Sequence, residues 1–180
     1  MNLLFRLAWT WLARLWRPQV PPFGPCVTPF RVWPTDLDLY LHVNNGVYLS
    51  LLDVARVDLM YRARLMGQVR ARGWYPVVAA ETIRFRKSLQ PFDRFRVVTR
   101  VIGWDEKALL MGQDFVRGDE VVASAVIRSR FLSKDGGSVA PADLATLTGV
   151  SPESPPLPDW VERWNDAQRQ SGAAGVAQVS

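Results

Sequence analysis

The chain has 180 residues, 48% of them hydrophobic and 22% charged, which fits one folded domain and argues against wholesale disorder, a collagen-like fibre or a polytopic membrane protein. One Cys (Cys26) and one His (His42) leave no intrachain disulfide and none of the usual Cys/His zinc clusters. A net charge of +5, carried by 19 Arg and three Lys, suits anionic partners such as phosphorylated cofactors or acidic lipids; the arginines are scattered, so nucleic acid is not an expected partner.

The first 17 residues, MNLLFRLAWTWLARLWR, are nearly continuous apolar sequence, but Arg6, Arg14 and Arg17 interrupt it before it reaches the ~20 residues of a spanning helix. At about 100° per residue these arginines and Thr10 share one arc, while the leucines and three tryptophans cover the rest. Such an amphipathic helix has two readings. One is an in-plane membrane anchor with Trp at the interface and Arg toward acidic headgroups; the other is a helix covering an apolar face of its own domain or of a partner subunit. A cleaved signal peptide is not expected, because the charges lie within and after the apolar run and no small-x-small site closes it. Pro18, Pro21, Pro22, Pro25 and Pro29 make residues 18–29 an extended connector without regular structure. Cys26, inside it, is expected to be a packed or exposed thiol and not a nucleophile.

Residues 30–33 read as a short strand and residues 34–45 (PTDLDLYLHVNN) as a loop. Residues 46–66 read as one long helix, whose apolar positions Val47, Leu51, Val54, Leu59 and Met60 span a surface wide enough to be surrounded by protein. Four strand-like segments follow, 77–89, 95–104, 108–117 and 120–132, with turn signals at 90–93, 105–107 and 117–119, so each is expected antiparallel to the next. The sum is an α+β layer with the helix against one face of a curved antiparallel sheet. A short helix over 141–148, a Pro-rich stretch over 151–158 and a helix over 159–170 come last, and the final ten residues are expected to be disordered. The organisation is thus a helix and connector (1–26), one domain (27–150) and a tail (151–180).

Polar chemistry clusters in the loop. Asn44 and Asn45 are good helix N-caps, and the N–H groups behind a cap can hold a developing oxyanion. Asp38 is close enough in sequence for its carboxylate to stand beside those donors, a minimal kit for hydrolysing an activated acyl group with Asp as general base or nucleophile. Turn and cap hydrogen bonds account for the same residues, Asp36 and Asp38 in the turn with His42 and Asn45 capping the helix, and on spacing alone that is the preferred reading.

Asp36-Leu37-Asp38, His42-Val43-Asn44-Asn45 and Tyr48, with Asp53-Val54-Ala55-Arg56 on the following helix, resemble the hotdog-fold acyl-CoA thioesterases of the 4-hydroxybenzoyl-CoA thioesterase type, in which an Asp-x-Asp…His-Val-Asn-Asn-x-x-Tyr signature opens the central helix. Residues 82–93 (TIRFRKSLQPFD) are similar to that family's second strand and turn, and the resemblance covers residues 27–132. It implies hydrolysis of acyl-CoA thioesters on a hotdog fold, with Asp38 as the catalytic carboxylate and the Asn45 N–H polarising the thioester carbonyl. His42 is a third catalytic candidate, although its place just before the helix suits loop shaping as well. Tyr48 and Asn44 are carried over as substrate contacts, and Arg84, Arg86 and Lys87, with Arg128 or Arg130, could meet the phosphates of coenzyme A.

The resemblance further implies no metal or redox cofactor, and a homodimer or homotetramer with the acyl chain between subunits. The expected location is the cytoplasm, at the inner face of a membrane if the first helix meets lipid. Leu41 departs from the family, which often has Gly before the His. Tyr40 and Ser88-Leu89 stand where the plant-type acyl-carrier-protein thioesterases use Asn and a Glu-Cys pair, so that mechanism is not expected. The alternative function is a non-catalytic hotdog module that binds acyl groups or acts as a membrane-associated assembly partner.

Overall fold

In the computed structural model, which describes residues 2–171, alternation along the strands decides which side of the sheet carries the core. The elements in chain order are helix α1 (Asn2–Ala13), strand β1 (Cys26–Arg31), a short 3₁₀ turn (Pro34–Asp36), helices α2 (Asn45–Arg62) and α3 (Leu65–Ala71), strands β2 (Trp74–Phe85), β3 (Arg94–Trp104), β4 (Leu109–Arg117), β5 (Glu120–Ser133) and β6 (Ser138–Val139), and helices α4 (Pro141–Leu147) and α5 (Asp159–Ser171). All pairings are antiparallel in the order β1-β3-β4-β5-β2, with β6 against the end of β5. Val97 and Phe95 of β3, Met111 and Phe115 of β4, and Ala123, Ala125 and Ile127 of β5 point to one face and bury against Leu51, Leu52, Ala55 and Leu59 of α2. Each large side chain removed from water here contributes roughly 2 kcal/mol. The curved sheet around a central helix is the α+β hotdog architecture expected from the sequence.

Several boundaries differ from the sequence reading. Strand β1 begins at Cys26, inside the expected connector, and runs through Pro29; β1 is an edge strand, where a missing N–H is tolerated. The long helix stops at Arg62, Arg64 takes a left-handed conformation (φ +57°), and α3 starts afresh. Leu65, Met66 and Val69 continue the apolar pattern across this break, so periodicity could not reveal it. Gly73 (φ +69°) turns the chain directly into β2, which starts at Trp74 and ends at Phe85 instead of spanning 77–89.

The expected meander holds for β3, β4 and β5 but not for β2, which pairs with β5 and leaves residues 86–93 to cross to β3 on the far side of the sheet. That crossover is held by Leu89, which is fully buried and donates its N–H to the Tyr48 hydroxyl (3.4 Å), and by Arg117, which donates to Ser88 O (3.3 Å) and Asp93 Oδ2 (2.8 Å).

The Pro-rich stretch and α5, read from sequence as a tail, pack on the sheet's outer face: Leu157, Val161 and Trp164 cover Leu110 and Val126. Trp104 donates its backbone N–H to Ser154 Oγ (2.9 Å) and its indole N–H to Pro152 O (3.3 Å). A Cβ at Gly103 would lie 2.6 Å from a Leu157 methyl, 3.0 Å from Ser154 Oγ and 3.1 Å from Pro155 O, so a larger residue there would have to displace this stretch. The expectation of a disordered end falls on residues 172–180, outside the described residues, and on Ser171, which closes α5.

The polar lock of α5 is Asp105 Oδ2, which accepts from Arg128 (3.0 Å) and from Asn165 (2.9 Å), while Arg128 Nε also donates to Asn165 Oδ1 (2.8 Å). Burial pushes the Asp105 pKa up, but Asn165, the Lys107 and Ala108 N–H groups and Arg128 together outweigh it and hold the carboxyl below its ordinary range. A depressed folded-state pKa contributes stability above the unfolded value near ~4 that disappears as pH falls through the folded value. Asp105→Asn is therefore expected to destabilise by about 1–3 kcal/mol at pH 7, with the deficit shrinking below pH ~4; urea denaturation at both pH values checks this.

Candidate active site

The loop between β1 and α2 is anchored by a buried carboxylate. Asp36, 3% exposed, accepts from Arg6 of α1 (2.6 Å) and from its own turn through the Trp33 N–H (2.8 Å), while its backbone C=O accepts from Asn44 N–H (2.9 Å). A bridge between Leu37 and Val43 closes the base of the loop. Above it, Asp38 Oδ1 accepts from the backbone N–H of Tyr40 (2.8 Å) and of His42 (3.2 Å), and Asp38 N–H donates to His42 O (2.8 Å). Its carboxylate is thus oriented by the turn it closes and remains half-buried. His42 is exposed and meets Asp38 only through backbone atoms.

Helix α2 begins directly after this turn. Asn44 is its N-cap, with Oδ1 accepting from Gly46 N–H (2.8 Å) and the backbone oxygen accepting from Val47 N–H (2.9 Å). The Asn45 N–H, at the positive end of an 18-residue helix, is left without a partner among the described residues. Asp38 and Asn45 therefore flank one short loop, a carboxylate on one side and an open amide donor on the other. Asn44, expected on the substrate, is occupied in capping.

The other expected contacts lie elsewhere in the chain. Tyr48 is 3% exposed, edge-on to Phe85 and Phe115 (centroids 5.0 Å in both cases), with its hydroxyl accepting from Leu89; burial raises its pKa. It is a core residue that fixes the 86–93 crossover to α2. Arg84 and Arg86 are exposed and line a groove of about 560 Å³ on the outer face of the sheet with Arg100, Asp114 and Trp160, turned away from α2. Lys87 pairs with Glu120. Arg128 is taken up by Asp105 and Asn165, whereas Arg130 keeps a buried Nε without a hydrogen bond among the described residues.

Sequence reasoning did not find an apolar cavity of about 320 Å³ between α2, β2 and α1, walled by Leu3, Leu7, Val57, Met60, Val77 and Phe131. Its polar edge is Asp53 paired with Arg56, whose guanidinium donates to Gln113 (2.7 Å). Gln113, fully buried, donates in turn to Leu52 O (3.1 Å) and Thr99 Oγ1 (2.9 Å). The sequence signal was available in the polar Gln113 among apolar β4 residues and in the Asp53/Arg56 spacing on α2. Asp38 and Asn45 lie outside this lining.

Residues 32–165 match the profile of the thioesterase-like superfamily. Protein THEM6 of Xenopus laevis is 34% identical over 142 residues, 77% of this chain and 68% of that one. The probable thioesterase YBR096W of Saccharomyces cerevisiae is 29% identical over 120 residues, 65% of this chain and 52% of that one. The chain thus spans about half to two thirds of the length of these curated relatives. Among solved structures, the YbaW probable thioesterase of Escherichia coli superposes with a TM-score of 0.64 at 25% identity, over 67% of this chain and 94% of that one. The gentisyl-coenzyme A thioesterase BH1999, at 17% identity and a TM-score of 0.58 over 64% of this chain and 94% of that one, shares the fold.

Leu41, the residue standing where glycine was expected, adopts φ +58° and is 64% exposed. The loop thus takes a left-handed turn with a side chain that disfavours it by roughly 1–2 kcal/mol. Leu41→Gly should raise stability by about 1 kcal/mol once the extra freedom of the unfolded glycine is subtracted. A rise in the denaturant midpoint checks it, and a fall would mean that the exposed leucine contributes more than the strain removes.

Proposed function

Because this chain belongs to the thioesterase-like superfamily, we propose that it is a thioester hydrolase that cleaves acyl-CoA thioesters with the Asp38 carboxylate and the Asn45 backbone amide as its working groups. The observation that carries the assignment is that one short loop supplies both: Asp38 Oδ1 is fixed by two backbone N–H groups, and the helix that follows begins with an unpaired amide. In one route Asp38 takes a proton from water, the resulting hydroxide adds to the thioester carbonyl, and the tetrahedral intermediate expels coenzyme A as thiolate. In the other, Asp38 adds to the carbonyl itself, the thiolate leaves, and water cleaves the mixed anhydride. Either way negative charge develops on the carbonyl oxygen, where an amide donor at the positive end of a helix favours it; removing such a donor typically costs 10²–10³-fold in rate. The reading calls on no metal or redox cofactor.

The active unit in this reading is a homodimer or homotetramer, with the acyl group running between subunits. Two features support it. The 12-residue β2 is an open edge bearing the exposed side chains Tyr75, Val78 and Phe85, an arrangement that a partner strand or surface would satisfy. The loop tip beside Asp38 is apolar and open, with Leu39 98% and Tyr40 81% exposed. The cavity behind β2 offers the acyl group an apolar wall, and the arginine-lined groove on the outer face suits the phosphorylated ADP of coenzyme A.

The test is thiol release from a panel of short- to long-chain acyl-CoAs. Asp38→Asn is expected to lower kcat by about 10²–10⁴-fold at equal folded concentration. His42→Ala, which removes an exposed ring bonded to nothing in the loop, should leave kcat within a few-fold of the unaltered chain. If Asp38→Asn turned over as fast as the unaltered chain, the carboxylate would be a loop-shaping group only; inactivity of both on every substrate would favour an acyl-binding module.

A further inference from the structure

Helix α1 is mounted with its polar side inward. Arg6 reaches Asp36 (2.6 Å), Arg17 in the following turn reaches the fully buried Asp58 (3.3 Å), and Arg14 stacks over Tyr61 (5.0 Å); Thr10 and Ala13 are buried between them. The arginines that the sequence would assign to headgroups are thus taken up by the protein. What faces outward is Leu4 (75% exposed), Phe5 (69%), Trp9, Trp11, Leu15 (69%) and Trp16. A helix in water ordinarily shows the opposite arrangement, and a contiguous apolar face of this kind marks an interaction site.

The rim of this face says what covers it. A groove of about 460 Å³ beside α1 is lined by Phe5 and Trp9 together with Trp33, Arg31 and Arg94, and contains no carboxylate. Arg31 stacks on Trp33 (5.8 Å) and on the half-exposed Phe92 (5.6 Å). Arg31 and Arg94 are exposed and form no ion pair among the described residues. The first acidic residue of the chain is Asp36, itself buried. Indole rings sit well at the level of lipid headgroups, and free guanidinium groups beside them pair with lipid phosphates. A second copy docked on the same face would offer Arg31 and Arg94 no carboxylate from the matching groove, whose lining holds none. No helix among the described residues is long and apolar enough to cross a membrane, so contact would be in the plane of the surface.

We propose that the outward face of α1, with Trp33, Arg31 and Arg94 at its rim, is a docking surface for an anionic lipid bilayer: Trp9 and Trp16 enter the headgroup layer, and the two arginines bind lipid phosphates. The inward arginines hold the helix in this orientation.

The test uses the full chain with vesicles of phosphatidylcholine alone or mixed with phosphatidylglycerol. The expected result is co-flotation with the anionic vesicles, a blue shift of tryptophan emission, and quenching by lipids brominated near the headgroup. Trp9→Ser/Trp16→Ser should lower partitioning at least ~10-fold, since both rings are lost from the interface. Arg31→Gln/Arg94→Gln should weaken binding to anionic vesicles and abolish their advantage over neutral ones. All four positions are exposed, and an unchanged thermal midpoint shows that the variants fold. Absence of flotation, or flotation unaltered by either variant, overturns the proposal. So does concentration-dependent self-association that Trp9→Ser/Trp16→Ser abolishes while vesicles are ignored, which would assign the face to a second copy.

Discussion

Asp58 is a carboxylate with no exposure at all, and the way it is neutralised ties the N-terminal third of the chain together. Its Oδ2 accepts from Thr28 of β1 (2.7 Å), from Arg17 after α1 (3.3 Å) and, at longer range, from Arg62 one turn along α2 (3.5 Å). Arg62 in turn donates to Val27 O (3.0 Å) and Pro18 O (2.9 Å), stitching the connector to the helix. Its Oδ1 is buried without a hydrogen bond among the described residues, so the charge depends on the donors at Oδ2, and through them β1, α1 and α2 are tied to one another. The Cys26 thiol, packed against this carboxylate, shows the same field: burial first, and then the Asp58 charge, push its pKa up to about 11. It stays a neutral packing group, as its isolation in the sequence suggested.

The loop between β1 and α2, which carries the proposed working groups, is anchored from the same N-terminal helix. Asp36, the second buried acid, is held by Arg6 of the same N-terminal helix, and it fixes the point where the loop leaves β1. At the far side, Tyr48 ties the first turn of α2 to the 86–93 crossover, so the loop is braced by the core at both of its ends. The span between is short and closed by its own backbone bridge, which is how a surface loop can hold a carboxylate still. Leu41 shows that the geometry of this turn is imposed and not merely permitted by sequence: the backbone is left-handed although the residue is a leucine.

Much of this was legible in the amino-acid sequence. The Asp-Leu-Asp and His-Val-Asn-Asn cluster, the helix behind it and the three strands from β3 to β5 were all readable, because periodicity, caps and turn residues are local signals. Non-local choices were not. The exchange of neighbours that puts β2 beside β5 depends on a crossover whose Gln-Pro-Phe-Asp sequence looks like a hairpin turn. The break at Arg64 carries no Gly or Pro. Most of all, the amphipathic pattern of α1 located its two faces correctly but could not tell which one meets the protein. That was decided by two buried aspartates far along the chain, at positions where acids usually lie in water.

Because its charged side is the attachment and its greasy side is open, α1 is not a detachable appendage. Shortening the chain by its first seventeen residues would remove Arg6 and Arg17 together, taking the Arg6 guanidinium from Asp36 and leaving Asp58, in a dry interior, with Arg62 at 3.5 Å as its one remaining guanidinium. It would also take away Leu3 and Leu7, two walls of the apolar cavity. A truncated protein would therefore be destabilised and lose two walls of its cavity along with its outward face, and its failure would not tell these effects apart. Substitutions on the outward tryptophans, which leave both ion pairs standing, separate the contributions that truncation merges.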